Sequence, residues 1–93
     1  MKPPERNTKL VDSTLAEVEF LRSELLTGLT LAKIARDANR EDRRNRNLLN
    51  SRKAYDALVR FMPRVRLTPE ERHEIESKME HLKSELAKLG EKF

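Results

Sequence analysis

The chain has no cysteine and no tryptophan, and its 93 residues include only two glycines, one tyrosine and three phenylalanines. Without cysteine there are no disulfides, no thiolate chemistry and no cysteine-ligated zinc or iron–sulfur site. Gly28 and Gly90 lie far apart, so no glycine-rich phosphate loop can form. No segment approaches the roughly 20 apolar residues of a membrane span. The opening MKPPERNTKLVD has no apolar run resembling a signal-peptide core. These absences lead to the expectation of a soluble, cytoplasmic protein.

What remains is charged and aliphatic. Charged residues make up 39% and apolar residues 37% of the chain, with Leu, Ala and Val supplying most of the latter. One domain is the economical reading, with residues 1–10 as a flexible tail and 11–93 as a single helical unit. A chain of this size buries only about 60–65% of the surface its unfolded form exposes. The core should therefore be thin, and a protein partner or a second copy is expected to add to it.

Hydrophobic spacing predicts an all-α fold of three antiparallel helices near 12–40, 43–62 and 69–89. Leu15, Val18, Leu21, Leu25 and Leu29 recur at three- and four-residue steps, and Ala32, Ala35 and Ala38 prolong the seam. An interior glycine costs about 1 kcal/mol relative to alanine. Gly28 is thus compatible with one long helix, the alternative being a break there and four helices in all. Leu48, Tyr55 and Met62 mark the second helix, which Pro63 ends because it lacks an amide donor. Thr68-Pro69-Glu70-Glu71 reads as a capping box with proline at the first helical position. Ile75, Met79, Leu82, Leu86 and Leu89 follow, and Gly90 stands where a left-handed terminating residue belongs.

The net charge of +4 is unevenly spread: residues 33–66 hold eleven basic and four acidic groups, while both flanks are slightly acidic. Within that middle third, RDANREDRRNRN (36–47) has five arginines, three acids and three asparagines. Arg43, Arg44 and Arg46, with Lys53 and Arg60 further along the same helix, are candidate contacts for the phosphates of a polyanion. Arg46, Lys53 and Arg60 are seven apart and make one stripe. The competing reading is a solvated helix junction. Asp37, Glu41 and Asp42 offset three of the five arginines, Asp42 and Arg46 are spaced for an ion pair, as are Asp56 and Arg60, and no aromatic supplies a stacking platform. The junction reading is preferred.

His73 and His81 are eight apart on one helix, about 12 Å along its axis, too far for one mononuclear metal. No nucleophile, base and orienting acid share a productive spacing. The expectation is a non-enzymatic protein with no catalytic residues, cofactor, metal or small-molecule substrate. The residues assigned to a partner-binding seam are Tyr55, Met62, Ile75, Met79, Leu82 and Leu86, in a helical-bundle or coiled-coil-like setting.

Ala32, Ala35 and Asp37 in the first helix, Ala54-Tyr55 and Ala57-Leu58 in the second, and Ile75, Met79 and Leu82 in the third carry a resemblance over residues 25–90. The chain resembles the microtubule-interacting and trafficking domain, and also a short tetratricopeptide-type hairpin stack with a capping helix. The first hairpin departs from the tetratricopeptide pattern by having the polar run 39–47 in place of a turn glycine. The resemblance implies an adaptor-like module that holds short helical or extended tails in grooves between its helices. The resulting expectation is a protein-interaction or structural module that could self-associate, with nonspecific nucleic-acid binding through 33–66 as the alternative.

Overall fold

The structure, a computed structural model, describes residues 3–93, with side chains from residue 15 onward. Residues 3–10, expected as part of a tail over 1–10 before a helix beginning near residue 12, belong to the first helix: proline in the first turn loses no intrahelical hydrogen bond. Among the described residues there is no strand, and three α-helices make up the fold: α1 (Pro3–Asp37), α2 (Glu41–Phe61) and α3 (Pro69–Lys88). Consecutive helices run antiparallel, so α1 and α3 share a direction.

α1 runs unbroken through Gly28, and packing explains why that residue is glycine. A Cβ at this position would lie 2.7 Å from Leu82 Cδ2 of α3 and 3.4 Å from Ala54 Cβ of α2. Its backbone lies against both of the other helices. The neighbours facing α2 are also small, Ala32 and Ala35 on α1 and Ser51 and Ala54 on α2, all buried. Ser51 is the buried polar residue of the core, and its hydroxyl donates to the Gly28 carbonyl at 2.7 Å. A buried hydroxyl without an acceptor would be costly, and the missing Cβ lets this one reach a helix backbone.

Larger side chains complete the core on either side of that crossing. Val18, Leu21, Leu25, Leu58, Met62, Val65, Ile75, Leu82 and Leu86 form one buried cluster, with Leu29, Leu48, Tyr55, Phe61 and Met79 against its margin. Two ion pairs flank the contact between α1 and α3. The Arg22 guanidinium forks onto both oxygens of Glu74, at 3.2 and 3.1 Å, and Arg36 approaches Glu85 at 3.6 Å.

The connections follow local chemistry. α1 ends at Asp37, three residues before the expected limit, and Ala38–Arg40 form the turn into α2, which starts at Glu41. Arg40 occupies the cap position without a side-chain cap bond, and Glu41 and Asp42 lie in the first turn, favourably placed for the helix dipole. Pro63 sits inside a single 3-10 turn, Met62–Arg64, that ends α2. The Thr68 hydroxyl accepts from the Glu71 amide at 3.1 Å, and the Glu71 carboxylate accepts from the Thr68 amide at 3.0 Å, closing the capping box. At the far end Gly90 has φ 101°, Glu91 N–H bonds to the Leu86 carbonyl and Gly90 N–H to that of Ala87. This is the Schellman arrangement.

Candidate functional site

The seam residues do not share one environment. Met62, Ile75, Leu82 and Leu86 are buried in the domain's own core, where they hold α2 and α3 against α1. Tyr55 and Met79 are half-buried at its edge. A partner meeting the folded domain along this line therefore reaches the last two residues and not the other four.

Apolar surface that is free lies elsewhere. On α1, the eight residues Leu25–Ala32 carry no charge; Leu15 and Phe20 earlier on α1 and Leu49 and Val59 on α2 are also exposed. Leu25, Gly28 and Ala32 face inward; Leu26, Thr27 and Thr30 face solvent. Leu26 is 68% exposed, and Ile34, two turns on, is 41% exposed. Leu26, Thr30 and Ile34 follow one another at four-residue steps and form an uncharged row on the outer face of α1, with the exposed Lys33 beside it. Leu26 and Ile34 lie off the regular core seam, whose period does not mark them. The signal that could have found them is the missing charge over 25–32, on the solvent side of an amphipathic helix.

All five polyanion candidates, Arg43, Arg44, Arg46, Lys53 and Arg60, are exposed. RDANREDRRNRN comprises the end of α1, the turn, and the first two turns of α2. The acids do not pair as their spacing suggested. Asp42 accepts from Arg40 at 3.3 Å, not from Arg46, and Asp56 accepts from Arg52 at 3.0 Å, not from Arg60. In each case the chosen partner lies on the N-terminal side of the acid. Among the described residues none of the five has an acidic partner. Arg46, Lys53 and Arg60 face away from both neighbouring helices along about 21 Å of α2. Arg60 and Arg64 also lie near the Phe61 ring, 5.7 and 5.8 Å from its centroid, and Phe61 meets Phe20 of α1 edge-to-face at 5.7 Å.

Arg52, like Arg22, makes three side-chain hydrogen bonds; it lies on the side of α2 that faces the residues following α3. Its Nε donates to Asp56, and its NH1 donates to the Glu91 carboxylate at 2.9 Å and to the Lys92 carbonyl at 2.8 Å. Its guanidinium lies 4.3 Å from the centroid of the Phe93 ring. Phe93 also meets Tyr55 edge-to-face at 5.1 Å, and the Lys83 ammonium of α3 stands 5.6 Å from the same ring. The bond to Asp56, with a further contribution from Glu91, raises the Arg52 pKa above its ordinary value. Arg52 is thus committed to its charge, and its donors point to one side. Composition gives no hint of this, because the partners lie 39 and 40 residues away in sequence.

His73 and His81 are both exposed. Among the described residues no group of three or more His, Asp or Glu side chains is placed to hold a metal ion, and no helix is long and apolar enough to cross a membrane. Comparison with protein-family models, with curated proteins and with solved structures found no match to the chain.

Proposed function

We propose that this small all-helical module acts by protein–protein contact, presenting the outer face of α1 to another protein or to a second copy of itself, and that it is not an enzyme. The observation that carries this reading is the uncharged row Leu26–Thr30–Ile34. A solvated helix face in a chain this rich in charge needs lysine or glutamate, whereas this one shows leucine, threonine and isoleucine. Large exposed aliphatic side chains grouped on one face are the usual mark of an interaction surface. The threonines between them are small enough to let a partner helix come close. A groove-binding adaptor of the kind the sequence resembles is compatible with this reading.

Sedimentation equilibrium and affinity capture from native extract, comparing the parent with Leu26→Glu/Ile34→Glu, test it. The two positions are exposed, so the helical circular dichroism should persist while self-association or partner capture is lost. Unchanged association and capture in a folded double variant would refute the assignment of this face.

A second reading rests on the five exposed cations that have no acidic partner among the described residues, which suit weak, salt-sensitive attraction to nucleic acid. Replacing Arg43, Arg44 and Arg46 together by serine should reduce that attraction and leave protein capture intact. Submicromolar binding of a duplex or an RNA hairpin by the parent near about 150 mM salt, lost in the triple variant, would place this reading first.

A further inference from the structure

We propose that the groove between α2 and α3 centred on Arg52 is a recognition site for a peptide segment with an acidic residue two positions before an aromatic ring, and that Glu91–Phe93 fills it in cis. The inference does not rest on the outer face of α1. It rests on how specifically the segment is held. Once the Schellman turn at Gly90 has ended α3, the chain could leave in any direction. Instead it turns back over α2, and all three of its residues meet the Arg52 guanidinium.

The Glu91 carboxylate takes a charge-assisted bond from Arg52, and the Lys92 main-chain carbonyl takes a second from the same nitrogen. The Phe93 ring lies near both the Arg52 guanidinium and the Lys83 ammonium, with its edge contact to Tyr55. These contacts read a carboxylate, a backbone carbonyl and an aromatic face at fixed spacing. The side chain of Lys92 is exposed and takes no part. The groove therefore recognises acidic–any–aromatic, with Asp56 accepting from the Arg52 Nε and so orienting the guanidinium. Charge-assisted bonds together with cation–π contact are the interactions by which arginine discriminates among peptides.

A tethered occupant makes the site self-limiting. Being attached, it competes at high effective concentration. A segment that fills the groove about nine-tenths of the time lowers the apparent affinity for a competitor about tenfold. A partner gains access by outcompeting the internal segment or by arriving once that segment has been drawn away.

Tyr55 is the only tyrosine in the chain, so its ring resonances report on the groove without ambiguity. The test uses the 93-residue chain and its Glu91→Ala/Phe93→Ala variant, each titrated with an N-acetyl peptide of residues 89–93. Emptying the groove should shift the Tyr55 ring signals. The peptide should return them towards the parent positions, binding the variant at least about tenfold more tightly than the parent. Peptides with lysine in place of glutamate, or alanine in place of phenylalanine, should not. Adding Arg52→Ala should abolish the response, and the peptide controls keep the test decisive should that variant unfold. Tyr55 signals identical in the parent and the emptied variant would overturn the proposal. So would an equal response to all three peptides, or none at millimolar peptide.

Discussion

Replacing Gly28 by alanine sets two opposing effects against each other, and the structure decides between them. Alanine in a helix interior is favoured over glycine by about 1 kcal/mol. Judged from the sequence alone, Gly28→Ala should stabilise the protein. In the fold, the new methyl would lie 2.7 Å from Leu82 Cδ2, well inside contact distance, so the fully buried Leu82 side chain has to shift within a packed core. Overfilling a packed core costs about 1–3 kcal/mol. Any widening of the crossing would also stretch the Ser51–Gly28 hydrogen bond, whose net worth is about 1 kcal/mol. We predict a net loss of about 1 kcal/mol, or a fall in Tm of about 4–8 °C for a chain of this length. The double-mutant cycle with Leu82→Ala gives the sharper result. Leu82→Ala alone should cost about 2–5 kcal/mol. In that background the methyl at position 28 meets empty space, and Gly28→Ala should become stabilising. Urea unfolding followed by circular dichroism measures all four corners. A stabilising Gly28→Ala in the parent, or the same effect in both backgrounds, would refute the close-contact reasoning.

Three further outcomes follow from features with defined partners. Thr68→Ala removes one half of the capping box and should lower stability by about 1 kcal/mol, measured by urea unfolding; Thr68→Ser should restore most of it. Glu74 has its pKa lowered chiefly by the Arg22 bond, from an ordinary value of 4.5. The unfolded chain thus takes up the proton first, and the pair's contribution is present above pH 4.5 and lost as pH falls through the lower, folded value. Glu74→Gln should accordingly flatten the acid side of the parent's stability–pH profile, and a superimposable profile would show that the pair contributes nothing. Ser51→Ala should cost about 1 kcal/mol through the lost hydroxyl bond, whereas Ser51→Val should cost more because it enlarges the crossing; thermal melts separate the two.

Much of the architecture was legible because it is written locally. The capping box at Thr68, the stop at Pro63 and the left-handed turn at Gly90 each depend on residues within four or five positions, and each forms as its pattern indicates. The continuity of α1 through Gly28 was legible from the helical background on both sides. The choice of ion-pair partners was not. Asp42 and Asp56 each had basic residues on both sides, and spacing alone does not rank Arg40 against Arg46 or Arg52 against Arg60. Ser51 could be placed on the seam, but its acceptor, 23 residues away, exists only because a backbone without a side chain passes close by. Seam periodicity identified Ile75, Leu82 and Leu86 as residues that must be covered. Whether the cover comes from the same chain or from a partner is a property of the assembled bundle, not of the period. The role of Arg52 depends on a reversal of direction after Gly90 that no short-range pattern encodes.

The order in which the helices meet also has a consequence for how fast, and by what route, the chain folds. α1 and α2 are joined by three residues, so closing their hairpin loses little chain entropy, and helical proteins built from such near-neighbour contacts fold in microseconds to milliseconds. α3 has no such advantage towards α1: the Arg22–Glu74 bridge spans 52 residues and can close only after α2 has turned back. The transition state for folding should therefore contain the Gly28–Ser51 crossing and lack the α3 contacts. Expressed as φ-values, Ser51→Ala is expected towards the upper end of the usual range and Ile75→Val near zero, so that substitutions in α3 speed unfolding while those at the crossing slow folding. Stopped-flow chevrons of the two variants measure this, and a high value at Ile75 with a low one at Ser51 would reverse the order of assembly.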